Sequence, residues 1–154
     1  MVDYTMVNCD DKDSVRKFYN FYQKLLLDSY VFEYLDSYQN FIQRLKEDDL
    51  YNAVVLYGED ELGGAIFEYD EKSNLGIIHY LVVKDNNDDL NKTILNLINS
   101  CVKELASNYY EETPNVVSMN PKKKNESSEF DIVHKDEYFL KKILLPSINK
   151  MVKK

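Results

Sequence analysis

Apolar residues recur along this chain with two different periods, and the change of period divides it into helical and extended stretches. Over residues 14–27, Val15, Phe18, Tyr19, Tyr22, Leu25 and Leu26 follow each other at three- and four-residue steps, which predicts an amphipathic helix. Asp10, Asp11 or Asp13 stands where a cap is needed, and the alternating stretch before it (YTMVNC) reads as a short strand. Residues 37–46 predict a second helix, with Tyr38, Phe41, Ile42 and Leu45 on one face and Asp36 or Ser37 as its cap. The period then falls to two. Tyr51–Tyr57, residues 62–69 and residues 76–83 read as strands separated by turns at 58–61 and 70–74. The four glycines all fall in this stretch, as a meander of antiparallel strands requires. A polar segment leads to a helix over residues 90–109, whose apolar face begins at Leu90 and Ile94, and NVVSM at 115–119 reads as a strand. Beyond it, 121–128 reads as a loop, 130–134 as a strand and 137–145 as a short helix. This order predicts an α+β class with a mixed sheet in one domain spanning 1–154.

Composition narrows the class. With 154 residues and 44% hydrophobic content the chain can bury a core without a disulfide or a structural metal. No run approaches the ~18 apolar residues of a membrane span, and MVDYTMVNCDDKD lacks the features of a signal peptide, so the expectation is a soluble, cytoplasmic protein. Cys9 and Cys101 are far apart without ligand-spaced histidines, which predicts two buried free thiols and no metal site. Residues 1–114 carry ten Lys and Arg against 22 Asp and Glu, whereas 115–154 carry nine Lys against five acids. An acidic body disfavours nucleic acid as a partner. No Ser/His/Asp pattern, P-loop, dinucleotide fingerprint or zinc motif is present.

The wording of the meander carries a resemblance. In DELGGAIFEYDEKSNLGIIHYLVV, residues 60–83, Gly63-Gly64 open one strand and Leu81-Val82-Val83 close the next. This stretch, with the element order of residues 1–120, resembles the general N-acetyltransferase (GNAT) superfamily. The resemblance implies a mixed, mostly antiparallel sheet flanked by helices and splayed into a V, with acetyl-CoA as acyl donor. It implies that the pantetheine arm lies along the backbone of Leu81 and Val83, pairing like an added strand. It places the pyrophosphate at the start of the next helix, on Leu90, Asn91, Lys92 and Thr93, where helix-terminal amides and the dipole favour anions. Family members build that cradle from Arg/Gln-x-x-Gly-x-Gly/Ala. Here the corresponding slots hold Asn86, Asp89 and Asn91, and the adjacent Asp88 and Asp89 repel phosphate.

Acetyl transfer to an amine needs a base and an acid. Glu68, near the end of the second meander strand, is the candidate base if its pKa is raised; His79, on the cofactor strand, is another. Tyr138, in DEYFLKK, is the analogue of the family's acid, although the Gly-Phe that usually follows is missing. Phe18, Tyr19, Phe21, Tyr22, Tyr30, Phe32, Tyr34 and Tyr38 either line an acceptor pocket or form core and a partner-facing surface. Two functional readings result. One is an acetyl-CoA-dependent N-acetyltransferase acting on a primary amine of a small molecule or protein. The other is a catalytically inactive GNAT-fold module that binds a protein. A homodimer or tandem arrangement, in which a second copy supplies cofactor contacts, is a third possibility.

Overall fold

The computed structural model describes residues 2–119, and the expected strand at 130–134, the helix at 137–145 and Tyr138 lie outside them. Strand β1 (Asp3–Met6) is followed by helix α1 (Lys12–Phe21), whose cap is Asp11: its side chain accepts from the Asp13 amide. The helical path does not stop at Phe21. It widens into a π-helical segment, Tyr22–Leu26, and closes with the single turn Leu27–Ser29. A short 3₁₀ turn (Phe32–Tyr34) leads to α2 (Tyr38–Glu47), capped by Ser37, which accepts from the Asn40 amide.

Strands β2 (Tyr51–Tyr57), β3 (Glu61–Asp70) and β4 (Leu75–Val83) form the expected meander. Helix α3 runs over Asp88–Ala106 and strand β5 over Asn115–Ser118. The helix starts earlier and ends earlier than the apolar pattern predicts. Asn87, not an aspartate, is its cap: Oδ1 accepts from the amides of Asp89 and Leu90 at 3.0 and 3.1 Å. Asp88 and Asp89 then occupy the first turn, where negative charge suits the helix dipole.

The five strands pair in the order β1-β2-β3-β4-β5, antiparallel except for the parallel pair β4–β5. Helices cover both faces because both are apolar. On one face Phe18, Phe21, Leu26 and Phe41 pack on Ala53, Val55, Ile66, Tyr80 and Val82. On the other, Ile94, Ile98, Val102 and Ala106 of α3, four residues apart, pack on Val54, Leu56, Ala65, Phe67 and Ile78. Each of the buried Val, Leu, Ile and Phe side chains among them contributes about 1.5–3 kcal/mol through the apolar surface removed from water. Of the aromatic cluster, Phe18, Phe21 and Tyr30 are core, while Tyr19 and Tyr34 are 44% and 47% exposed. Cys9 and Cys101 are free but only half-buried, which corrects the expectation of two buried thiols. No described helix is long and apolar enough to cross a membrane.

Candidate active site at the bulge of strand β4

Two irregularities in strand pairing shape the site. The first lies between β3 and β4, where the register passes from Ile66↔Tyr80 to Phe67↔Ile78. Two residues of β4 thus oppose one of β3, and His79 is the extra one. The bulge re-aims the imidazole towards Glu68, which the register pairs with Ile77, and His79 Nε2 lies 2.6 Å from Glu68 Oε1. The second is the short pairing of β5. Among the described residues it pairs with β4 over Leu75–Ile78, with one further bond from the Met119 amide to the Ile78 carbonyl.

The Glu68–His79 pair is partly open, with side chains 24% and 28% exposed. Arg44, from α2, reaches Glu68 Oε2 at 3.7 Å and stacks over the Tyr51 ring at 4.1 Å. The hydrogen bond from His79, together with the charges of His79 and Arg44, holds the Glu68 carboxyl below the usual glutamate range, against the opposing effect of burial. A raised pKa was the condition for Glu68 itself to serve as the base, and the carboxyl shifts the other way. An ionised carboxylate only accepts, so Nε2 carries the ring proton, and in the neutral imidazole Nδ1 keeps the lone pair. The pair therefore works as a histidine held in one tautomer by a carboxylate.

Glu68 also lines a cleft of about 310 Å³ with Asp48, Asp70 and Glu71, and Lys72 as the single cation among its lining residues. Sequence reasoning missed Arg44 and Asp48, whose relation to Glu68 is set by where α2 packs. Asn87, by contrast, had a signal: a capping residue immediately before an acidic first turn and an apolar period.

The residues expected to hold the donor fit it unevenly. Leu81 and Val83 lie two apart on β4, so their N–H and C=O groups point to the same side, away from β3. Those of Leu81 are engaged: its amide donates to the Tyr30 hydroxyl at 3.1 Å, and that hydroxyl donates to its carbonyl at 3.2 Å. At the start of α3 the amides of Asp89 and Leu90 are bonded to the Asn87 side chain, and that of Asn91 to the Asn87 carbonyl at 3.0 Å. Lys92 and Thr93 are exposed on the first turns, and Thr93 Oγ1 is bonded to the Asp89 carbonyl. Asp85 and Asn86, just before the cap, both take the left-handed conformation (φ 56° and 51°), which Asp and Asn tolerate better than most residues. This helix start, with its amides capped and two carboxylates beside them, does not fit a pyrophosphate.

No family model and no curated protein matches the chain. Among solved structures it is similar to an aminoglycoside acetyltransferase from an uncultured soil metagenomic sample, with a TM-score of 0.53 at 14% identity over 89% of this chain and 84% of that one. It is also similar to the ribosomal-protein-alanine N-acetyltransferase of Brucella melitensis biovar Abortus 2308, with a TM-score of 0.52 at 15% identity over 79% of this chain and 81% of that one. The chain has the GNAT fold. At these identities the likeness is one of architecture, in the sheet and its flanking helices.

Proposed function

We propose that this protein is an N-acyltransferase that acylates a primary amine, with His79 as the base and Glu68 as the residue that orients it. The observation that carries the reading is the 2.6 Å contact between His79 and Glu68, made by a bulge in β4. Acetyl-CoA supplies the acyl group in this reading. Glu68 accepts from Nε2–H and fixes the tautomer; Nδ1 takes a proton from the substrate ammonium, the freed amine attacks the thioester carbonyl, and the C–S bond breaks to release the CoA thiolate, which is protonated as the product leaves, while Glu68 stabilises the imidazolium. The hydrogen bond from His79 and, more weakly, the charge of Arg44 favour the ionised Glu68, and so keep it an acceptor. The surplus of carboxylates in the cleft beside Glu68 suits an acceptor that arrives as a cation.

The occupied amides and the two aspartates at the start of α3 favour a second reading, in which the GNAT fold binds a protein and has given up catalysis. One assay separates the two. Free thiol release from acetyl-CoA is followed over a panel of mono- and polyamines. The enzyme reading expects saturable turnover with at least one amine, and a loss of about 10²–10⁴-fold in His79→Asn. Thiol release at the buffer rate with every amine, or His79→Asn matching the wild type, rules out this mechanism.

A further inference from the structure

We propose that the ring face of Tyr51 and the second carboxylate oxygen of Glu68 form a seat for an alkylammonium group of the ligand, and that Arg44 fills this seat while the ligand is away. The seat needs no acyl donor; only its assignment to the amine acceptor rests on the acyltransferase reading above. Tyr51 and Glu68 are register partners on β2 and β3, so both side chains leave the same face of the sheet. Glu68 Oε1 is committed to His79 at 2.6 Å. Oε2 takes no hydrogen bond among the described residues, and its ion-pair partner there is Arg44 Nη2 at 3.7 Å, too far for a hydrogen bond. The guanidinium carbon stands 4.1 Å from the Tyr51 ring centroid. An aromatic face beside a carboxylate binds organic cations, through the ring quadrupole and the opposite charge. Tyr51 is 2% exposed with the guanidinium over its ring, so a cation from solvent reaches that face only by taking the place of Arg44.

Local structure delivers Arg44 to this point. On α2 it follows Phe41, which is fully buried, by three residues, so it shares the packed face of the helix. It also lies in the last turn, where the dipole favours a cation. Its stem reaches over the Tyr51 ring while the side chain stays 45% exposed. Among the described residues only the stack and the 3.7 Å pair hold the guanidinium, and both interactions are weak at a half-exposed position. Arg44 is therefore displaceable, and the affinity of an incoming cation is lowered only by the population of the filled state. An ammonium that replaces it brings the same charge to Glu68, so the carboxylate stays ionised. The seat lies on the Nε2 side of His79, whereas the lone pair that takes the proton is on Nδ1. The seated charge is thus not the amine that reacts. A ligand that fits carries two ammonium groups, as a diamine or polyamine does.

The test uses the full chain with no acyl donor present. Cadaverine and n-pentylamine, which differ by one ammonium group, are titrated into the wild type and Arg44→Ala, with the Glu68 carboxyl ¹³C and Arg44 ¹⁵Nε resonances as probes. In the wild type cadaverine should shift both resonances together, a readout that needs no variant. It should bind about tenfold more tightly to Arg44→Ala, the factor that a stacked, solvent-screened ion pair represents. Pentylamine should bind about tenfold more weakly than cadaverine, having a single charge to place. Cadaverine affinity that is unchanged or weaker in Arg44→Ala overturns Arg44 as the occupant. Binding that leaves Glu68 and Arg44 unmoved, or no binding to either protein, overturns the seat. Equal affinity for the two amines overturns the second charge. A filled seat without thiol release from acetyl-CoA would uphold the seat and fail the acyltransferase reading, and turnover with both resonances unmoved would do the reverse.

Discussion

Gly64 offers a sharp test of how α1 is seated on the sheet. It lies on β3 opposite Val55 of β2 and Val82 of β4, on the face covered by α1. A Cβ added there would stand 2.6 Å from the Val54 carbonyl oxygen and 2.9 and 3.0 Å from two ring carbons of Phe21. Ordinary carbon contacts are about 3.5–4.0 Å, so the ring must retreat by roughly 0.5–1 Å. Neither obstacle can yield easily: one is backbone inside a sheet, the other a ring with no exposed surface. Overpacking of this kind costs about 1–3 kcal/mol, and two rigid obstacles place Gly64→Ala near ~3 kcal/mol. For a chain of this size that corresponds to a fall in Tm of about 6–12 °C. Urea unfolding of Gly64→Ala, Phe21→Leu and the double variant should show non-additivity of about 1 kcal/mol, since the smaller side chain relieves the ring contact but not the carbonyl contact. A Gly64→Ala variant within about 0.5 kcal/mol of the wild type would refute the packing of α1 described above.

Other expectations concern the site and its margins. Because the Glu68 carboxyl is held below its ordinary range, it contributes stability that is present above its unfolded pKa and is lost as pH falls through the lower folded value. Urea unfolding from pH 7 down to pH 3 should therefore show Glu68→Gln less stable than the wild type at neutral pH, with the gap closing in acid; a gap that widens in acid contradicts the assignment. Replacing Asp88 and Asp89 by Asn should tighten acetyl-CoA binding by about fivefold or more if their charge opposes the phosphates. The same change should cost the helix about 0.3–1 kcal/mol per residue at its N-terminus, and unchanged calorimetric affinity would remove this loop from any role in donor binding. In the acyl-transfer assay Glu68→Gln should lower kcat while leaving the amine KM within a few fold, as expected of a residue that acts through His79. An equal rise in KM with kcat unchanged would make Glu68 a binding group instead.

Much of the architecture was legible because it is local. The three- and four-residue steps of Val15, Phe18 and Tyr22 and of Phe41 and Leu45, and the alternation around Ala53 and Ile66, declare helix and strand without any knowledge of the fold. The glycines at 58, 63, 64 and 76 placed the meander, and Gly63-Gly64 with Leu81-Val82-Val83 carried the resemblance to the GNAT superfamily. Helix ends were less legible. The start of α3 moved from Leu90 to Asp88 because Asn87 caps it through two amides, a side-chain decision that apolar periodicity does not register. The π-helical widening after Phe21 was equally invisible, since it leaves the spacing of apolar residues close to helical.

Glu68 and His79 were each nameable from the sequence as a candidate base, but nothing in the order of residues says that they touch. Their contact depends on a bulge that adds one residue to β4, and a one-residue slip of pairing would send His79 to the other face. The direction of the Glu68 shift was likewise decided by position, because the hydrogen bond from His79 exists only at the bulge and Arg44 adds its charge from a helix 24 positions earlier in the chain. Tyr30 and Leu81 are 51 residues apart, and only the packing of the first helical path on the sheet joins them. The sequence by itself determined the elements and the acidic character of the body, because propensity, periodicity and charge act between near neighbours. Which carboxylate meets the imidazole, and which hydroxyl meets the Leu81 backbone, was left to the tertiary structure, because hydrogen bonds act over about 3 Å of space and are indifferent to distance along the chain.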